Sequence, residues 1–155
     1  MATVGQRAPE VSLLGPNGAP VKLSEYVGKK TVVLYFYPKD ETRGCTAQAC
    51  SFRDAYQDFT QAGAEVIGVS ADDEASHASF KSHHRLPFVL LSDPGGVAAK
   101  AFEVKKSLGL FAGRVTFVID RGGVIRHRFE SQLRIGDHVE QALALVKQLE
   151  TRPAA

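Results

Sequence analysis

Two apolar runs constrain this chain more than anything else in it. "TVVLYFY" (Thr31 to Tyr37) and "AEVIGVS" (Ala64 to Ser70) are β-branched and aromatic with little polar alternation, the pattern of strands covered on both faces. Between them Phe52, Ala55, Tyr56 and Phe59 recur at helical spacing from about Gly44, until Gly63 stops the run. "DDEASHASFKSHH" opens on acidic residues and reads as a second helix, "FVLLSD" as a third strand, and "GGVAAKAF" as a short helix. Strands joined by helical crossovers run parallel. "RVTFVID" and "VIRHRFE" flank the turn "RGG" and must instead pair antiparallel. "DHVEQALALVKQLE" closes the order as an amphipathic helix with Asp137 as its N-cap. Upstream, "PEVSLLGPNGAPVKL" predicts an N-terminal β-hairpin that turns through Gly15, Pro16, Asn17 and Gly18.

This order predicts an α/β fold, a mixed central sheet with helices on both faces, and the thioredoxin-like arrangement fits it best. A length of 155 residues suits a single domain over 1–155, with loose ends up to about Ala8 and from about Thr151. The formal net charge is +2 and the basic residues are scattered, so a nucleic-acid partner is not expected. No basic-then-apolar leader is visible at "MATVGQRAPEVSLLGPNG", and "TVVLYFY" is too short to span a bilayer. A cytoplasmic protein without a membrane partner is the expectation.

The chain has two cysteines, too few for a disulfide framework. Cys45 falls at a strand-to-helix junction, just inside the helix N-terminus, where free N–H groups and the helix dipole favour a thiolate. A cysteine taken alone would read as a small buried apolar residue. Here Thr42 stands three residues before it with a hydroxyl that both donates and accepts, and Pro38 ends the strand on the same loop. Cys50 lies five residues on. In a regular helix that interval puts the Cα atoms roughly 8 to 9 Å apart, whereas a disulfide needs less than about 7 Å. Either the thiols never meet or the helix partly opens when they do.

"YPKDETRGCTAQAC" resembles the active-site loop of the peroxiredoxins, whose Pro-x-x-x-Thr-x-x-Cys signature is matched by Pro38, Thr42 and Cys45. The second cysteine five residues on is similar to the arrangement in the PrxQ, or bacterioferritin comigratory protein, subfamily. The likeness extends through "GQRAPEVSL" and "VKLSEYVGKKTVVLYFYPKD" before the site and "EVIGVSAD", "FVLLSD" and "RVTFVIDRGGVIRHRF" after it. The resemblance implies a peroxiredoxin fold and a thiol peroxidase that reduces hydrogen peroxide and organic hydroperoxides. It implies Cys45 as the peroxidatic and Cys50 as the resolving cysteine, joined in an intrachain disulfide that thioredoxin or a similar dithiol reduces. Thr42 would hydrogen-bond peroxide and thiolate, Pro38 would shield the site from water, and Arg114 would offer a fixed cation and a fork of donors. No metal, haem or flavin is required, and a cycle within one chain suits a monomer. Two positions depart from the family pattern. Arg43 stands where proline is usual, loosening the loop and adding a cation beside Cys45. Gln48 stands where glutamate is usual and can bond Arg114 without forming an ion pair.

Other readings remain open. Cys50 could be a core residue, with the resolving thiol supplied from elsewhere. The chain could be a redox sensor or holdase that passes peroxide oxidation to a partner. A two-cysteine metal site lacks further ligands at suitable spacing. His77, His83 and His84, with Asp72 and Asp73 nearby, could share one helix face, but a metal site needs convergent geometry that a single surface helix rarely provides, so they read as a solvated polar face. "SDPGG" reads as a turn, and Arg114 taken alone as a strand-edge arginine. Lys105, Lys106, Arg126, His127 and Arg128 read as solvated charge.

Overall fold

The computed structural model describes residues 2–107 and 111–150, so the tail expected to be loose from Thr151 lies outside the described residues. The N-terminal hairpin pairs β1 (Ser12–Leu14) with β2 (Pro20–Lys22). After it come β3 (Thr31–Phe36), α1 (Arg43–Gln61), β4 (Ala64–Ser70), α2 (Glu74–His84), β5 (Val89–Ser92) and α3 (Val97–Ala101). A two-stranded ribbon that carries no clear sequence signal, β6 (Lys106–Ser107) with β7 (Phe111–Ala112), precedes the late hairpin β8 (Val115–Ile119) and β9 (Ile125–Glu130). Helix α4 (Ile135–Glu150) ends the described chain.

Seven strands form one sheet in the order β2-β1-β5-β4-β3-β8-β9. As expected, β3, β4 and β5 are parallel, while β8 and β9 run antiparallel. The uninterrupted apolar runs are explained by burial on both sides. Val33, Tyr35 and Tyr37 point to one layer with Phe52 and Phe59 of α1, Phe80 of α2 and Val139, Ala142 and Val146 of α4. Val32, Leu34 and Phe36 point to the other, with Ala98 and Ala99 of α3, Phe102 and Phe117. Alternation by two along β3 thus divides its side chains between two cores. Tyr35 stacks on Phe52 with ring centroids 4.5 Å apart, and Phe52 meets Phe59 at 5.8 Å. Each such fully buried aromatic contributes roughly 1.5 to 3 kcal/mol, so the middle and end of α1 are firmly held. Gly68 leaves the room this needs, because a Cβ there would lie 2.8 Å from Leu90 Cδ2 and 2.9 Å from Tyr35 Cζ.

Three sequence expectations are corrected. The segment before Ala8 is not loose: Gly5 and Ala8 donate to the carbonyls of Ile125 and Gly123, and Ile125 donates back to Gln6, all at 2.8 Å. Backbone pairing, which leaves no hydrophobic period to read, holds it. Arg128 is not solvated charge. Its guanidinium donates to the carbonyls of Ala2, Phe102 and Glu103 and lies 4.9 Å over the Phe117 ring. Asp137 is not the N-cap of α4, which begins at Ile135; Asp137 sits in its first turn, paired with Arg134 at 2.6 Å.

Helix α4 is also fastened to β8 by a buried histidine. His138 Nε2 faces the Ser131 carbonyl at 2.8 Å, so that nitrogen carries the proton, and Thr116 Oγ1 donates to Nδ1 at 2.7 Å. Burial, the largest influence, holds the His138 pKa below the ordinary imidazole value. The unfolded chain therefore binds this proton at a higher pH than the folded one, so the contribution to stability is full above about pH 6.5 and is lost as pH falls toward the folded value. We expect His138 to titrate below about 6.5 by NMR; a midpoint at or above that value would contradict the assignment.

Candidate active site

The loop between β3 and α1 carries the first half of the site. β3 ends at Phe36, half-buried Pro38 turns the chain, and Thr42 is the N-cap residue of α1. Cys45 is the third residue of the helix and only 1% exposed. The side chain of Thr42 makes no capping bond. Its Oγ1 donates instead to the Lys39 carbonyl at 2.7 Å, which closes the loop on itself and leaves the hydroxyl oxygen able to accept.

The second half comes from β8. Because β3 and β8 pair in a register that sets Phe36 opposite Val115, Arg114 stands level with the end of β3 and beside this loop. It is 5% exposed, which excludes the strand-edge reading. Arg114 Nη2 donates to Cys45 Sγ at 3.5 Å and Nη1 donates to Gln48 Oε1 at 2.6 Å. Gln48 thus takes a strong bond from the arginine without an ion pair, as expected of this substitution. Gly44 makes the approach possible: a Cβ there would sit 2.9 Å from Arg114 Nη2 and 3.4 Å from Ile135 Cδ1. Among the described residues, Arg114 Nε and Gln48 Nε2 are buried donors without a hydrogen-bond partner, a condition for which a catalytic role is one explanation. Arg43, by contrast, is exposed on the first turn, and the cation that reaches the sulfur is Arg114.

Both thiols are free, Cys45 buried and Cys50 half-buried, and α1 is continuous through both. Under the helix, Tyr35 is fully buried, and its hydroxyl finds no partner among the described residues. Burial, and then the neighbouring Cys45, push its pKa well above the ordinary phenol value, so it stays neutral beside the sulfur.

A buried polar cluster behind the loop went unrecognised in the sequence. Asp40 accepts from Tyr37 at 2.5 Å, from His77 Nδ1 at 2.7 Å and from Ser76 at 2.9 Å, while its own N–H donates to Asp72 at 2.8 Å. His77 Nε2 lies 3.1 Å from the Leu91 carbonyl. His77 is therefore a buried strut and not part of a solvated face. The available signal was its position three residues before the inward Phe80 on one helix stripe. Only His83 and His84 reach the surface, where both contact Glu41. These two bonds hold the Glu41 carboxyl below its ordinary range.

A nucleophilic sulfur, a fixed guanidinium and a hydroxyl at a helix N-terminus can together stabilise a sulfur anion and an oxygen that gains negative charge during attack. The AhpC/TSA family model matches residues 4–128. Peroxiredoxin Bcp of Bacillus subtilis is 44% identical over 152 residues, covering 94% of this chain and 96% of that protein. The chloroplastic peroxiredoxin Q of Oryza sativa subsp. japonica is 46% identical over 146 residues, covering 94% of this chain and 67% of the relative. The crystal structure of peroxidoxin BcpB from Mycobacterium tuberculosis superposes with a TM-score of 0.88 at 33% identity, covering 99% of this chain and all of that one.

The close approach at Gly44 generates a test. Gly44→Ala should displace the guanidinium and slow alkylation of Cys45 in a Cys50→Ser background by about 10-fold, since bonds to charged groups carry ~1.5 to 3 kcal/mol. The thermal midpoint should change little, because alanine improves the helix by ~1 kcal/mol while crowding Arg114. An unchanged alkylation rate would show that the Arg114 contact does not govern the sulfur.

Proposed function

Because the chain belongs to the AhpC/TSA family, among the peroxiredoxin Q and Bcp proteins, we propose that Cys45 carries its peroxide chemistry and that Cys50 completes the cycle. The activity is that of a thiol-dependent peroxidase, an oxidoreductase with a hydroperoxide as substrate and a thioredoxin-like dithiol as reductant. The observation that carries the residue assignment is the buried Arg114 Nη2 at 3.5 Å from Cys45 Sγ in the first turn of α1.

In this reading the Cys45 thiolate attacks the terminal oxygen of the hydroperoxide. The S–O bond forms as the O–O bond breaks, and the departing oxygen leaves with the electron pair and a proton as water or alcohol. Arg114 bonds the sulfur before attack and the developing charge during it. Its fork supplies directed donors that a lysine would not. The Thr42 hydroxyl, whose proton goes to Lys39, accepts from the O–H of the incoming peroxide. Pro38 covers the loop side and limits water. The cluster of Asp40, Tyr37 and His77 holds that loop against β4 and α2 from behind. Cys50 then attacks the sulfenic sulfur, water leaves, and the intrachain disulfide is reduced by the external dithiol. The finer setting we infer is a monomer acting in the cytoplasm without nucleic acid or membrane. No described helix is long and apolar enough to cross a membrane.

Cys45→Ser should abolish peroxide turnover, while Cys50→Ser should retain the first, single-turnover oxidation and lose cycling with thioredoxin. Rapid peroxide consumption by the Cys45 variant would remove the assignment.

The sulfurs meet only if α1 opens locally. Arg114 holds its first turns by two bonds, to Cys45 and Gln48, whereas Phe52 and Phe59 lock the rest into the aromatic core. Amide exchange should therefore rise on oxidation from Thr46 to Ser51 and change little beyond Tyr56. Identical exchange in the oxidised and reduced protein across that segment would argue against this route.

A further inference from the structure

Outside the thiol site, one cluster among the described residues brings metal-ligating atoms together at the surface. Glu41 Oε2 lies 2.9 Å from His83 Nδ1, and Glu41 Oε1 lies 2.8 Å from His84 Nε2. The three ligand atoms fall within 4.8 Å of one another. We propose that Glu41, His83 and His84 form a binding site for a borderline divalent transition cation of the zinc class, held by two imidazoles and one carboxylate.

The distances suit such an ion. Ligand atoms at ~2.0 to 2.1 Å from a metal, with angles between 90° and tetrahedral, stand roughly 2.8 to 3.4 Å apart. The two carboxylate–imidazole contacts already fall at the short end of that span, and the ligand atoms of His83 and His84, within 4.8 Å of each other, would close on the same ion. The ligand set is selective: imidazole favours zinc-like ions, whereas calcium and magnesium prefer oxygen throughout.

The site is also partly preformed. Glu41 is held at φ 62, a left-handed conformation uncommon outside glycine, which fixes the direction its side chain leaves the loop. His84 is the anchored imidazole, its side chain 17% exposed. Its ring packs edge-on to Phe80 at 5.1 Å, and its carbonyl accepts from Arg53 at 2.8 Å. His83 is 65% exposed and lies beside it, with ring centroids 4.1 Å apart. Both imidazoles occupy the last turn of α2, whose negative dipole end favours a cation. The exposed geometry leaves positions for water, as three protein ligands do in open zinc sites.

The second cluster of ligand types, Asp40, Asp72 and His77, is a weaker candidate. Its oxygens already accept from Tyr37, Ser76, Ser70 and the Asp40 N–H within the fold. At the Glu41 site an ion would join the residue just before the Thr42 N-cap to the end of α2. The segment ahead of Cys45 would thereby gain a metal-dependent anchor. The binding proposal does not depend on the peroxidase reading.

The test uses the full chain carrying Cys45→Ser and Cys50→Ser, so that thiols cannot bind the metal. Zinc chloride is titrated calorimetrically above about pH 7, because metal binding competes with protons for its ligands. One zinc ion per chain is expected, undisturbed by an equal concentration of magnesium. Glu41→Gln, and separately His83→Ala with His84→Ala, should each weaken binding by at least the ~10- to 100-fold that follows loss of even an outer supporting group. Circular dichroism of each variant should match the parent, because these substitutions lie at or near the surface. Zinc binding of parental strength in both variants, no zinc binding by the parent, or equal competition by magnesium would each overturn the proposal.

Discussion

The contact of Arg114 with Cys45 and Gln48 organises this protein more than any other polar interaction. A guanidinium with 5% exposure is costly to bury unless its donors are engaged, and here two of them meet a sulfur and an amide oxygen on the first turns of α1. The arrangement requires β8 to lie beside β3 in one register and requires a residue without a side chain at Gly44. The sulfur is placed between the positive end of α1 and a fixed cation, so the same few atoms serve the fold and the proposed chemistry.

Stability is distributed unevenly around that contact. Beyond Phe52 the helix is held by stacked aromatic rings on a sheet strand buried on both faces. Before Phe52 the small side chains of Cys45 and Ala49 enter the same core, and Gln48 is held by Arg114. The loop ahead of it is fastened from behind by Asp40, whose carboxylate collects donors from Tyr37, Ser76 and His77. A rigid loop, a weakly held first part of the helix and a rigid remainder form the sequence of stiffness that a chain needs if two cysteines five residues apart are to bond without global unfolding.

Much of this was legible in residue order. The buried strands, the parallel crossovers, the late hairpin and the thioredoxin-like mixed sheet followed from periodicity and turn residues. The site loop was legible because Pro38, Thr42, Cys45 and Cys50 lie within a short segment that resembles a known signature. Apart from Arg114 and Gln48, whose meeting the family resemblance implied, roles that depended on a distant partner were less legible. His77 and Arg128 have the composition of solvated charge, yet each is a buried or half-buried strut, because a strand or a carbonyl cluster happens to face it. The N-terminal segment carries no readable pattern for the complementary reason: it is held by backbone bonds to Gly123 and Ile125, and backbone groups carry no residue code.

The sequence by itself determined the local order of the molecule: which segments bury both faces, where α1 starts, and that a cysteine sits in its first turn. These are properties of near neighbours, and periods of two and 3.6 residues express them directly. Only the tertiary structure decided which side chain meets the sulfur and which histidines part company. Arg114 reaches Cys45 across 69 residues, and Glu41 meets His83 across 42. Such meetings depend on strand register and helix packing, and in that geometry a displacement of one residue would turn Arg114 to the other face of the sheet.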